Sequence, residues 1–152
     1  QKVIPTLRGV GVVDAKSKIQ IDRYSAISKQ GVSDSFLNET NTFEGWKISL
    51  NGPDTWVQFD DVDFGRRPLF GWLFGWKNLR SVSTRSTSST GGSIEIHLDK
   101  ADGPLVARVE IGKGSEWQVF NSKLANVPAG IHNLVVTHNQ ANDVDLDWIR
   151  FQ

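Results

Sequence analysis

The sequence of 152 residues contains no cysteine. A disulfide scaffold, a thiolate nucleophile and a Cys-ligated zinc site are therefore excluded, while either redox compartment stays open. Net charge is missing too, since Lys plus Arg and Asp plus Glu each total 17. With neither sign dominant, bulk electrostatics argue against a nucleic-acid partner or an anionic membrane surface. No apolar run is long enough to cross a bilayer. The chain opens at Gln1 without a charged n-region and apolar h-region, so any signal peptide is expected to have been removed or to lie elsewhere. Long helical periodicity is scarce. No HExxH spacing, G-x-S-x-G elbow or phosphate-cradling glycine loop occurs, which removes the common metalloprotease, hydrolase and nucleotide signatures.

What remains has the size of one domain, large enough to bury roughly 70% of its unfolded surface. Its 38% hydrophobic content exceeds that of a disordered chain. Short period-2 alternation is punctuated by Gly, Pro, Asn and Asp, the pattern of an all-β domain. The clearest strand runs from Ile94 to Asp99, and a turn at Lys100-Ala101-Asp102-Gly103-Pro104 leads into a return strand over Leu105 to Ile111. Further strands are expected at Ile19–Tyr24, Thr42–Leu50, Trp56–Phe59, Lys77–Ser86, Ile131–His138 and Val144–Phe151. Eight to ten antiparallel strands close into two packed sheets, a β-sandwich or jelly roll. Residues 1–18 read as an edge strand or a linker from an upstream domain, and 19–152 as the sandwich. The Ser/Thr-rich stretch Ser81–Ser93 reads as an outward-facing strand and turn.

Candidate chemistry lies in carboxylates and indoles. His97 faces away from the apolar row of its strand and reads as solvated. His132 and His138 stand six residues apart, about 20 Å by strand rise, too far to share an ion. Alternation places Asp143, Asp145 and Asp147 on one side of the last strand, where three like charges call for a compensating cation. A calcium ion is one such cation, because it takes several hard oxygens. Asp60, Asp61 and Asp63 form a second acidic group; a carboxylate pair about 5 to 10 Å apart would serve glycoside hydrolysis. Six tryptophans accompany a single tyrosine. Trp56 and Trp148 sit in apolar alternation and read as core residues. Trp117 follows Gly112-Lys113-Gly114-Ser115-Glu116 at a loop-to-strand boundary, and Trp46, Trp72 and Trp76 lie beside glycines. An exposed indole can stack on the C–H face of a pyranose while nearby carboxylates and amides bond its hydroxyls.

Five blocks then occur in order: Gly91-Gly92-Ser93-Ile94-Glu95-Ile96-His97-Leu98-Asp99, Asp102-Gly103-Pro104-Leu105-Val106, Glu116-Trp117-Gln118, Gly130-Ile131-His132-Asn133-Leu134, and Val144-Asp145-Leu146-Asp147-Trp148-Ile149-Arg150-Phe151. Together they resemble the second half of a family 6 carbohydrate-binding module. Ile19-Gln20-Ile21-Asp22-Arg23-Tyr24 and Asn51-Gly52 to Trp56-Val57-Gln58-Phe59 resemble its first half, so the likeness spans residues 19–152. The resemblance implies a jelly roll that binds glycans without cleaving them. It implies a cleft among loops where two aromatics clasp a sugar and an asparagine bonds it. Trp117 matches one aromatic and Trp46, backed by Phe43, stands nearest the other. Asp145 replaces the asparagine, an acceptor-only group that favours hydroxyl donors over acidic sugars. The likeness also implies a structural calcium at the positions of Gln20, Asp22 and Asp147. An aromatic insert at 66–79 departs from the pattern; Trp72 and Trp76 would extend the cleft or pack on a neighbouring domain.

The leading expectation is a non-catalytic module, monomeric when isolated, that binds polysaccharide or oligosaccharide. It would target a tethered glycoside hydrolase to its substrate in a secreted, periplasmic or cell-surface setting, with no nucleic-acid or membrane partner. The alternatives are a docking domain with a degenerate sugar site, and a small hydrolase using Asp60 or Asp61 with the 143–147 group.

Overall fold

The computed structural model describes residues 11–66 and 79–152. The strands among them are β1 Val13–Asp14, β2 Ile19–Gln20, β3 Ala26–Ile27, β4 Val32–Phe36, β5 Trp46–Asn51, β6 Thr55–Asp63, β7 Ser81–Ser88, β8 Gly92–Leu98, β9 Leu105–Ile111, β10 Gly114–Lys123, β11 Ile131–His138 and β12 Asp143–Phe151. They form two six-stranded sheets. One runs β1-β6-β11-β8-β9 with β3 also on β6; the other runs β10-β7-β12-β5-β4 with β2 also on β12. From β5 onward the chain crosses between sheets at nearly every connection, which is the jelly-roll path.

The core lies between the sheets because alternate residues of each strand must leave water. Ile48 and Leu50 of β5, Val57 and Phe59 of β6, Ile94, Ile96 and Leu98 of β8, and Val144, Leu146, Ile149 and Phe151 of β12 are all buried. Phe64 meets Phe151 edge-on at a centroid separation of 5.1 Å, a favoured aromatic geometry. Each such side chain contributes roughly 1.5–3 kcal/mol of transfer free energy.

Several expectations change. The opening segment forms only Ile19–Gln20 before a 3-10 turn at Ile21–Arg23, and Thr42–Glu44 is likewise a 3-10 turn preceding β5. Strands β4 and β10 went unread because neither has a clean apolar row. The Ser/Thr stretch does not merely face outward: Thr84, Ser86 and Ser88 on β7 are buried. Their hydroxyls are satisfied, Thr84 Oγ1 lying 2.9 Å from Ser86 Oγ and donating to the Trp148 carbonyl at 3.1 Å, while Ser88 Oγ donates to the Asp143 carbonyl at 2.6 Å. A buried hydroxyl so paired costs little. His97 is not solvated either; one ring nitrogen lies 2.9 Å from the Gly103 carbonyl oxygen. His138 is fully buried, its ring nitrogens 2.8 Å and 2.7 Å from the carbonyl oxygens of Ser93 and Asn142. At the N-terminal side Ala15 is buried and β1 pairs parallel to β6, so these residues are part of the sheet.

The connections 52–54, 89–91, 112–113 and 139–142 all lie at one end of the sandwich, as the registers Asn51↔Asp143, Thr55↔His138, Ser88↔Gly114 and Gly92↔Ile111 require. They are laced together: the Gly52 amide donates to the Asn142 carbonyl at 3.3 Å, the Ser93 amide donates to Gln140 Oε1 at 2.9 Å, and Asn142 Nδ2 donates to the Gly91 carbonyl. Gly31 serves this end. Its φ is +76° and a Cβ there would lie 2.7 Å from the Asn51 carbonyl oxygen and 2.5 Å from Thr55 Cγ2. Gly31→Ala is expected to cost about 1–3 kcal/mol, the scale of a strained backbone position, read as a lower urea midpoint at an unchanged m-value. A midpoint equal to that of the parent would refute the close approach.

Candidate functional site

The outer face of the sheet β10-β7-β12-β5-β4 gathers most of the residues singled out in the sequence. Asp145 pairs in register with Ser49 on one side and Thr87 on the other, so all three project to that face. Ser49 Oγ donates to Asp145 Oδ1 at 2.5 Å and Lys47 Nζ donates to Oδ2 at 2.7 Å. The carboxylate is thus compensated by a lysine two residues from its serine partner, both on β5.

Asp147 behaves differently from what alternation implies. The β12–β7 register slips between Leu146 and Trp148, a bulge that inserts one extra residue and re-aims the side chains around it. Asp147 is 5% exposed, and Arg85 Nη1 donates to its Oδ2 at 2.6 Å. Asp143, Asp145 and Asp147 therefore do not stand as three bare charges in a row. The last two each hold a cation from a neighbouring strand, a short charge-assisted contact of the strong kind.

The same guanidinium reaches an indole. Arg85 Cζ lies 5.3 Å from the centroid of the Trp117 ring, within cation–π range. Trp117 sits half-buried on β10, where a second register shift falls between Gly114 and Gln118. Asp147, Arg85 and Trp117 thus form a chain of contacts across β12, β7 and β10. Beside it, a concavity of about 340 Å³ is bordered by Asn51, Thr87, Ser89, Ser115, Asp143 and Asp145. Hydroxyls, an amide and carboxylates line it, groups that donate to and accept from a polyol.

Trp148 was expected in the core but is half-buried on this outer face, paired in register with Arg85 and Gln20. Lys18 Nζ stands 4.8 Å from its ring centroid. The apolar alternation of β12 concealed this, because the bulge swaps which residues face inward after Leu146. Trp56, also expected in the core, is half-buried on the opposite sheet and borders a separate concavity of about 600 Å³ with Gln30, Asn51 and Asp54.

Trp46 is not brought to Trp117. It shares the side of β5 that carries buried Ile48 and Leu50, opposite to Lys47 and Ser49, and its ring packs on Phe36 at 4.1 Å between centroids, tilted by 33°. Phe43, in the turn before it, is 99% exposed. Three strand spacings separate β10 from β5, about 14 Å. Trp72 and Trp76 lie outside the described residues.

The calcium set does not fit. Gln20 pairs with Trp148 on the outer face, Asp22 belongs to the 3-10 turn, and Asp147 is turned toward β7 and committed to Arg85. Among the described residues no group of three or more His, Asp or Glu stands together. The carboxylate pair required for a hydrolase is not assembled either. Asp60 lies on β6 of the other sheet, where Gln58 Nε2 donates to it at 2.7 Å. On that sheet the Arg108 pKa is raised by the hydrogen bond its guanidinium donates to Glu110 and by the Glu110 charge, with a smaller contribution from Glu95 and desolvation acting against them.

Against curated protein sequences the chain has no match. Among solved structures it is similar to a family 6 module from Clostridium stercorarium in complex with cellobiose, with a TM-score of 0.76 and 19% identity over 94% of this chain and 98% of that one. A β-1,3-glucan-binding family 6 module from Bacillus halodurans gives a TM-score of 0.75 at 21% identity, over 93% and 99% of the two chains. A glycoside hydrolase family 43 arabinoxylan arabinofuranohydrolase from Bacillus subtilis, in complex with cellotetraose, gives 0.74 at 16% identity, over 94% of this chain and 28% of that enzyme. The family described as carbohydrate binding module (family 6) matches residues 25–152, and the chain therefore belongs to this family of non-catalytic carbohydrate-binding modules.

Proposed function

We propose that the module binds a neutral β-linked polysaccharide, a glucan or xylan, through Trp117 and the polar concavity beside Asp145, and so holds a linked glycoside hydrolase on its substrate. The observation that carries this reading is the half-buried Trp117 on a bulged strand, with its cation and its acceptors supplied by neighbouring strands. A flat ring at a loop end offers the face on which a pyranose stacks, contributing on the order of 1 kcal/mol. Asp145 has acceptor capacity beyond the bonds from Lys47 and Ser49, since a carboxylate takes about four. Lys47 balances its charge, so Asp145 presents acceptors without a net negative field.

The ligand class is supported by the ligands of similar modules, cellobiose and a β-1,3-glucan. Tethering is supported by the arabinofuranohydrolase, in which the matched region makes up 28% of a larger enzyme. Linkage of this kind raises the local substrate concentration even when intrinsic affinity is modest. On this reading the module works outside the cytoplasm as a monomeric appendage. With Asp147 engaged by Arg85, calcium forms no part of this reading.

Affinity electrophoresis in gels containing xylan, laminarin or barley β-glucan tests the site. Retardation is expected in at least one gel, and Trp117→Ala is expected to weaken it by roughly 30-fold, the scale of a truncated aromatic hot spot. Asp145→Ala is expected to weaken it by about 5- to 10-fold through loss of one or two hydrogen bonds. Retention of full retardation by Trp117→Ala would overturn the assignment. The same polysaccharides incubated with the parent protein are expected to release no reducing sugar; sustained release would restore the hydrolase alternative.

A further inference from the structure

The contacts around Trp117 carry an inference about how the sugar platform is set, which rests on the reading of Trp117 as that platform. An indole on an edge strand at a bulge has rotameric freedom, and a stacking surface that must be ordered on binding loses affinity to that ordering. Arg85 lies against this ring at 5.3 Å. The guanidinium is itself fixed, because Asp147 is 5% exposed and accepts from Nη1 at 2.6 Å. Asp147 is fixed in turn by the β12 bulge. Rigidity is thereby passed from a core strand to an edge strand through two side chains.

We propose that Arg85 is the positioning residue of the glycan site: anchored by Asp147, it covers one face of Trp117 and leaves the other as the single stacking surface. Two consequences follow. The indole is pre-ordered in the free protein, and a sugar chain engages it from one side only. Asp147 receives its compensating positive charge from the protein's own guanidinium rather than from an ion.

Arg85→Met alone would leave the Asp147 carboxylate buried without a partner, which destabilises strongly. The test therefore uses the charge-neutral pair Arg85→Met/Asp147→Asn, together with Arg85→Lys, which keeps the charge and loses the planar stack. Trp117→Phe identifies the Trp117 indole N–H resonance in a ¹H–¹⁵N spectrum. In the ligand-free protein both test variants are expected to shift or broaden that resonance. In the gel that retards the parent most strongly, the double variant is expected to bind 5- to 10-fold more weakly and Arg85→Lys 2- to 5-fold more weakly, at an unchanged melting temperature for the lysine variant. Unchanged resonance and affinity in the lysine variant, or parental affinity in the double variant, overturns the proposal and leaves Arg85 a purely structural ion-pair partner. The platform itself fails separately, if Trp117→Ala binds as tightly as the parent.

Discussion

A carboxylate taken out of water at a bulge in a core strand must find a cation, and that requirement organises this sheet. The cost of an unpaired buried charge runs to several kcal/mol. Asp147 meets it with Arg85, drawn from the adjacent strand rather than from solvent. Because β7 lies between β12 and β10, the guanidinium that answers Asp147 is also within reach of Trp117. One electrostatic necessity in the middle of the sheet therefore sets the surroundings of an aromatic ring at its edge. A glutamate or asparagine at 147 would change the reach or the charge of the contact, and with it the indole.

The same logic explains why overall neutrality says little about this molecule. Seventeen charges of each sign could be scattered and solvated, in which case their pairing would be worth almost nothing. Here some are matched across strands far apart in sequence, Lys47 with Asp145 and Arg85 with Asp147. The two pairs lie on one face, beside a concavity lined mainly by hydroxyl and amide groups. A surface on which carboxylates are paired in this way presents hydrogen-bonding groups with fixed directions and a reduced net field. That suits a ligand rich in hydroxyls, for which directionality matters more than attraction.

The two-sheet architecture was legible in the sequence because β6, β8, β9, β11 and β12 carry β-branched or apolar residues at period two. Strands β4 and β10 were not, because each lies at a sheet edge and buries too little to show a pattern. The inward hydroxyls of β7 misled for the opposite reason: Thr84, Ser86 and Ser88 look like surface residues, yet their donors are spent on nearby oxygens. Of the candidate site, Trp117 and Asp145 were identified from ordered motif blocks. Arg85 was not, since an isolated arginine in a Ser/Thr-rich strand carries no spacing that links it to residues 117 and 147. Only the strand order joins them.

Bulges account for most of the remaining discrepancies, and they share one physical form. Counting by twos from Asp143 makes Trp148 an inward residue; one inserted residue at Leu146/Trp148 turns it outward. The shift between Gly114 and Gln118 similarly decouples Trp117 from the alternation of β10. Each irregularity stands next to a residue with a polar or aromatic task, and each is tied off by side-chain bonds that a regular ladder would not need, such as Thr87 Oγ1 donating to the Gly114 carbonyl at 3.0 Å. A regular sheet can only present side chains at fixed intervals of two residues along a strand and about 4.8 Å between strands. The contact of an indole, a guanidinium and a carboxylate across three strands falls here at two points where that lattice is broken. The bulges are how a rigid jelly roll acquires a site whose geometry its own repeat does not contain.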